Sequence, residues 1–303
     1  MIDFVGKRKI FYTLSLIIIV IGIISFVKNG FVMDIEFSGG SVIETDLGVV
    51  YENNDISDIV KEVTGSTPRI QKMGSATEEQ TSVSISTTTL TEEQKNTIMD
   101  KLAEKYAIED INEKTTFRNV SASFGSEMRN RAILAVAIAA VCIMAYIGIM
   151  FKVMSGFSAG VTAVCALFHD LFVMMVVYSI TGIALNTTFV AALLTILGYS
   201  VNDTVVIYDR IRENKLINRK MSNEEIVNLS INQSVRRTLF TSILILFALV
   251  MMFGFGTYYR VSTIQEFTLP LIAGVVSGTY SSMLLSGNLW VSWNKFLENR
   301  KNK

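Results

Sequence analysis

Apolar residues in this chain gather into long uncharged runs, with one polar stretch set between the first run and the rest. The first run, residues 10–27, holds 18 residues without a charge, enough for one membrane-crossing helix. Beyond residue 130 the runs return as 132–151, 153–168, 171–199, 238–259 and 267–294. Only His169-Asp170 interrupts the stretch from 153 to 199, and a break between Thr181-Gly182 and Asn186-Thr187 divides it into two helices. The pattern therefore predicts six crossing helices, the first separated from the other five by a polar insert.

That insert, residues 31–125, reads as a soluble domain. Residues 41–45 have strand character after the Gly39-Gly40 pair. Apolar residues at 56, 59, 60 and 63 have helical spacing, with Gly65 as the stop. Residues 68–73 and 81–89 read as strands, and in the second Val83 and Ile85 alternate with Ser and Thr. Thr91 with Gln94 suits a capping box for a helix running to about residue 107. Residues 115–124 close the insert as a strand. The order β-α-β-β-α-β is that of a ferredoxin-like α+β domain. The expected domains are thus 1–30 (N-terminus and first helix), 31–125 (soluble domain), 126–294 (five helices) and 295–303 (tail).

Charge adds an orientation. Residues 28–130 hold 18 acidic and 10 basic side chains, a net of −8, and the remainder holds 9 and 17, a net of +8. Short basic loops stay inside, whereas long domains cross regardless of charge. Lys7, Arg8, Lys9, Lys152, seven basic residues from Arg210 to Arg237, and Lys295, Arg300, Lys301 and Lys303 mark the inner side. This places both termini in the cytoplasm and the insert outside, as a multi-pass membrane protein. A basic start before an apolar run also describes a signal peptide, but residues 27–30 offer no small-x-small cleavage site. An acidic soluble domain argues against nucleic-acid binding. Cys142 and Cys165 sit in apolar runs and read as small packing residues rather than a disulfide. With one His and no Cys/His cluster, no metal site is expected. The absence of HExxH, P-loop, GxSxG and GxGxxG patterns argues against an enzyme.

The chemistry concentrates in the fourth apolar helix. Asp203, flanked by Asn202 and Thr204, lies inside the apolar run, with the charges of Asp209-Arg210-Ile211-Arg212-Glu213 following as the helix leaves lipid. A carboxylate at membrane depth is costly, and such residues face a bundle interior or a watery path. The residue is either a proton- or ion-handling group or a polar contact between helices. Arg237, opening the fifth helix beside Arg236, falls near the same depth and is a candidate counter-ion; the competing reading is a lipid-headgroup anchor. His169 and Asp170 are a candidate proton relay or a mutually satisfied packed pair. Gly156 and Gly160, then Gly274 and Gly278 with Ser277, Ser281 and Ser282, have the spacing of close helix contacts.

At this point the residues resemble the SecF branch of the SecD–SecF protein-export family, within the RND transporter superfamily. The resemblance rests on Asp3-Phe4-Val5-Gly6-Lys7-Arg8, on Asp34-Ile35-Glu36-Phe37-Ser38-Gly39-Gly40, on His169-Asp170, and on Gly198-Tyr199-Ser200-Val201-Asn202-Asp203-Thr204. It continues through Ser230-Ile231-Asn232-Gln233, Arg237-Thr238, Thr241-Ser242 and Gly278-Thr279-Tyr280-Ser281-Ser282. Two places depart from the family pattern, Asp34 to Gly40 where G-I-D-F-T-G-G is usual and Glu266 where glycine is common.

The resemblance implies a six-helix half-bundle paired with SecD, associated with the SecYEG channel and with YajC and the YidC insertase. It implies late-stage translocation of unfolded preproteins driven by the proton-motive force, with no bound cofactor. It also implies that Asp203 conducts protons with Arg237 as basic partner and Asn202 and Thr204 beside it. Two other readings stand next to it: an RND-type efflux half-transporter for small molecules or lipids, and a non-transporting scaffold of the channel complex.

Overall fold

The computed structural model describes residues 2–73, 81–108 and 110–301. Six helices in it are long and apolar enough to cross a membrane. They are α1 (Arg8–Asn29), α5 (Ala122–Met150), α6 (Gly156–Thr181), α7 (Thr187–Ile217), α8 (Asn223–Tyr258), and a last one made of α9 (Ser262–Tyr280), a π-helical turn (Ser281–Ser286) and α10 (Gly287–Lys301). Between α1 and α5 lie α2 (Ile35–Ser38), β1 (Gly40–Asp46), α3 (Asn53–Thr64), β2 (Arg69–Met73), β3 (Ser82–Thr87), α4 (Glu92–Tyr106) and β4 (Thr115–Val120).

Local chemistry sets the helix ends. Gly182, left-handed at φ 68°, closes α6, and the Asn186 side chain then accepts from Phe189 N–H (3.1 Å) to open α7. This is the break expected between residues 181 and 187. Ser222 and Glu225 form a capping box that starts α8 well before its uncharged run. Strand β4 ends at Val120, earlier than expected, because the Ser121 hydroxyl accepts from Phe124 N–H and turns residues 122–124 into the first turn of α5. In α9, Pro270 has no N–H to give the Glu266 carbonyl four residues back; the Tyr178 hydroxyl donates to that oxygen instead (3.3 Å).

Lipid offers no hydrophobic drive to hold helices together, so close packing does it. A methyl on Gly156 would meet the Gly148 carbonyl oxygen at 2.0 Å, and one on Gly274 would meet Ile196 at 2.6 Å. Helices α6, α7 and α9 form the inside of the bundle, and α1, α5 and α8 its outside. Cys142 and Cys165 are free and lie on the exterior rather than packed within, a correction to the sequence reading.

The insert folds as an antiparallel sheet of order β2-β3-β1-β4, with α3 and α4 packed over it. The β-α-β-β-α-β order and the Thr91/Gln94 capping box are as expected. The one-turn α2, started by Asp34 accepting from Ile35 N–H, was not. Gly39, at φ 77°, lies where a Cβ would strike Ala122 of α5 at 2.6 Å, so α2 and the first turn of α5 meet through glycine.

Side chains fasten this domain to the membrane helices. Met33 and Leu185 pair as a parallel β-bridge. Glu36 accepts from the Thr187 N–H (2.8 Å) and hydroxyl (2.7 Å) at the start of α7. Glu266, in α9, accepts from Gln71 (3.1 Å), Arg69 (3.4 Å) and Asn186 (3.4 Å). Glu36 of the insert and Glu266 of α9 are thus the acidic side chains that tie the domain to the bundle.

Candidate functional site

Asp203 sits sixteen residues into α7, roughly 24 Å along it at the usual helical rise, and six residues before the first charge that follows. It is 2% exposed and Thr204 1%, and neither Asp203 Oδ2 nor the Thr204 hydroxyl has a hydrogen-bond partner among the described residues. Asn202, the preceding residue of the same turn, is exposed.

The level of Arg237 follows from a hydroxyl triangle. The Tyr199 hydroxyl bonds Ser242 (2.7 Å) and Thr279 (3.0 Å), and Thr279 donates to Ser242 (2.8 Å), tying α7, α8 and α9 at one depth. Asp203 lies four residues beyond Tyr199 along α7, and Arg237 lies five residues before Ser242 on the oppositely directed α8. At about 1.5 Å per residue Asp203 lies about 6 Å and Arg237 about 7.5 Å beyond these residues toward the same end of the bundle. That puts the two within about one helical turn of each other. The ion pair itself is not formed: Arg237 is exposed and pairs with no carboxylate among the described residues. Arg236 is exposed too, with its guanidinium 5.8 Å from the Phe240 ring.

His169 and Asp170 come together with three serines, of which the sequence reading treated two, Ser277 and Ser281, as packing residues. Asp170, wholly buried, accepts from Ser200 (2.6 Å) and Ser281 (2.6 Å) on one oxygen and from Ser277 (2.7 Å) on the other. His169 Nδ1 stands 3.3 Å from Asp170, and its Nε2 is buried with no partner among the described residues. The three serines come from α7, α9 and the π-helical turn, so one carboxylate joins three segments. Gly278 lets Ser200 approach; its own Cβ would lie 3.3 Å from that of Ser200. Ser277 and Ser281 were legible as a pair four residues apart on one face of an apolar helix. Ser200 and Tyr199 carried no such signal, because each meets its partner only across helices.

These groups form a polar layer across the interior of an otherwise apolar bundle. The hydroxyls of Ser15 on α1 and Tyr280 on α9 bond at 2.9 Å, and the Tyr280 ring lies 5.8 Å from His169. No group of three or more His, Cys, Asp and Glu placed to hold a metal ion occurs among the described residues.

Six helices long and apolar enough to cross a membrane, an α+β insert after the first, and buried carboxylates inside the bundle define a multi-pass membrane protein. The chain belongs to the SecD/SecF protein-export membrane family. The family model described as protein export membrane protein SecD/SecF, C-terminal, matches residues 99–296. The protein translocase subunit SecF of Thermobaculum terrenum is 36% identical, covering 97% of this chain and 94% of that one. The SecF subunit of Petrotoga mobilis is 35% identical over 97% of this chain and 96% of its own. The crystal structure of SecDF from Thermus thermophilus superposes with a TM-score of 0.82 at 26% identity, over 97% of this chain. The match spans 39% of that longer SecDF chain. A second SecDF structure, in a super-membrane-facing form, gives a TM-score of 0.69 over 99% of this chain. The family resemblance read from the motifs is therefore correct.

Proposed function

We propose that this chain is the SecF-type half of a SecD–SecF export complex, in which Asp203 takes up and releases the protons that drive the late translocation of unfolded preproteins. The observation that carries the reading is Asp203 itself: a nearly inaccessible carboxylate in a crossing helix with one oxygen unpartnered. Such an oxygen is satisfied either by a proton or by the approach of a cation, and Arg237 stands at the matching height on the neighbouring helix. Both arrangements are accessible to one site, which is what a two-state coupling element needs. Thr204 lies beside the carboxylate and Asn202 on the exposed side of the same turn.

The half-bundle pairs with SecD, as the fused SecDF relatives suggest: the SecDF of Bacillus subtilis is 30% identical, and the match spans 38% of its length. In this reading both termini are cytoplasmic, the membrane is the bacterial inner membrane, and the insert is a ferredoxin-like domain on the outer side. SecYEG is the channel served, with YajC and YidC as neighbours, and no cofactor is required. His169 and Asp170 position the helices around Asp203.

Coupling to the outer domain runs through α7 and α9. Helix α7 carries Asp203 and is capped by Glu36 of the domain; α9 carries Ser277 and presents Glu266 to strand β2. A small shift of either helix is thus felt directly by the sheet. The drive is about 2.3 kcal/mol per charge per 100 mV, enough to bias a finely balanced equilibrium with each proton. The test is preprotein export in cells whose sole copy carries Asp203→Asn, with co-purification of the SecD partner measured in parallel. Export reduced to the level of the deletion with the complex intact supports the reading; unchanged export rejects it.

A further inference from the structure

Near the end of the bundle that carries the soluble domain, an apolar groove of about 490 Å³ runs between α5, α6 and α7, roofed by residues of the linker that follows α1. Its α5 wall is Arg129, Ala132, Ile133 and Val136, spaced as one face of a helix. Phe168 and Phe172 of α6 stand opposite, and Ile133 and Phe168 remain 63% and 56% exposed, so the groove opens sideways at membrane depth. Among the described residues its one charged lining residue is Arg129, exposed just before the uncharged run of α5 begins. Arg129 pairs with no carboxylate among the described residues, whereas Arg131 is taken by Glu127 at 2.5 Å.

We propose that this groove holds an acyl chain of an anionic phospholipid from the leaflet on the soluble-domain side, with the phosphate seated on Arg129. A lone guanidinium above an apolar slot is complementary to an amphiphile with an anionic head. From Arg129 to Val136 the wall descends about 10 Å, enough for the upper part of a chain. A peptide segment fits poorly, since the walls offer nothing to pair its backbone N–H and C=O groups. A zwitterionic lipid would bring its own cation against Arg129. The groove is distinct from the polar layer around Asp203, so the inference stands whether or not proton coupling does.

The test is native mass spectrometry of the full chain in detergent, titrated with dioleoyl phosphatidylglycerol or dioleoyl phosphatidylcholine. The expected result is one retained phosphatidylglycerol, favoured over phosphatidylcholine by roughly fivefold, the preference one basic side chain near the headgroups supplies. Arg129→Gln removes the preference, and Ala132→Trp, which fills the slot, removes the retained lipid. Val250→Trp, on the 53% exposed outer face of α8, leaves both unchanged. Ile133→Trp repeats the blocking test if Ala132→Trp fails to melt cooperatively. Equal retention of both lipids by every variant overturns the proposal and reduces the groove to ordinary lipid contact. A photo-crosslink from Ile133→Cys, carrying a benzophenone probe, to a protein rather than to lipid overturns it as well.

Discussion

The Ser200 hydroxyl donates to Asp170 at 2.6 Å, and Ser200 lies three residues before Asp203 on the buried side of α7. The wholly buried carboxylate of α6 therefore holds the turn of α7 that presents the other carboxylate. Asp170→Leu would strip three serine hydroxyls of their acceptor inside the bundle, at a cost on the order of 3 kcal/mol. Asp170→Asn keeps the volume and an acceptor oxygen and is expected to cost about 1 kcal/mol. Thermal melting of the purified chain checks the order: leucine far below asparagine, asparagine just below the native protein.

The close approach of α5 to α6 depends on two glycines. In Gly156→Ala the new methyl would lie 2.0 Å from a backbone oxygen, which no side-chain rotation relieves. Overpacking of this kind costs about 1–3 kcal/mol. Gly160→Ala, whose nearest backbone contact is 3.1 Å, is expected to be milder, and comparison of the two melting temperatures tests this.

At the junction between the insert and the bundle, Glu36→Ala removes the acceptor of the Thr187 N–H and hydroxyl. Exposed polar contacts are worth about 0–1 kcal/mol, so amide exchange at the start of α7 should rise up to about fivefold while the sheet's own protection holds. Hydrogen-exchange mass spectrometry of the two segments reads this out. Equal loosening of sheet and junction would mean that the domain and the bundle do not separate at this contact.

Tyr51 supplies a pH signature for the soluble domain. It is 3% exposed, donates to the Ser82 carbonyl at 3.0 Å, and burial pushes its phenol up to about 12. The unfolded phenol ionises near 10, so between about pH 10 and 12 the unfolded chain releases a proton that the folded one keeps. Stability contributed by the neutral phenol is full below about pH 10 and falls as pH rises through that window. Chemical denaturation of the native protein against Tyr51→Phe tests it; the variant should show a shallower slope and lose about 1 kcal/mol from the hydrogen bond.

Most of the architecture was legible because membrane crossing writes itself as uncharged length. Residues 10–27 became α1, and Gly182 with Asn186 made the expected break between α6 and α7. What the sequence hid were contacts between segments far apart in it. Asp203 announced itself as an isolated carboxylate, but its relation to Arg237 needed the Tyr199–Ser242 contact to fix the level of α7 against α8. The Asp170 cluster was half visible, as Ser277 and Ser281 at helical spacing; Ser200 joins it only through the packing that Gly278 permits. The π-helical turn at Ser281–Ser286 left no local mark in a serine-containing apolar helix, although such turns are frequent at functional sites.

If Asp203 handles the protons that drive export, proton flux across a membrane reads it out. The SecD–SecF-type complex, with this chain native or carrying Asp203→Asn, would be reconstituted into vesicles with an imposed pH gradient and an internal pH dye. The native complex is expected to dissipate the gradient, and the asparagine variant, equally folded and assembled, is not. Dissipation at the same rate by both would contradict it.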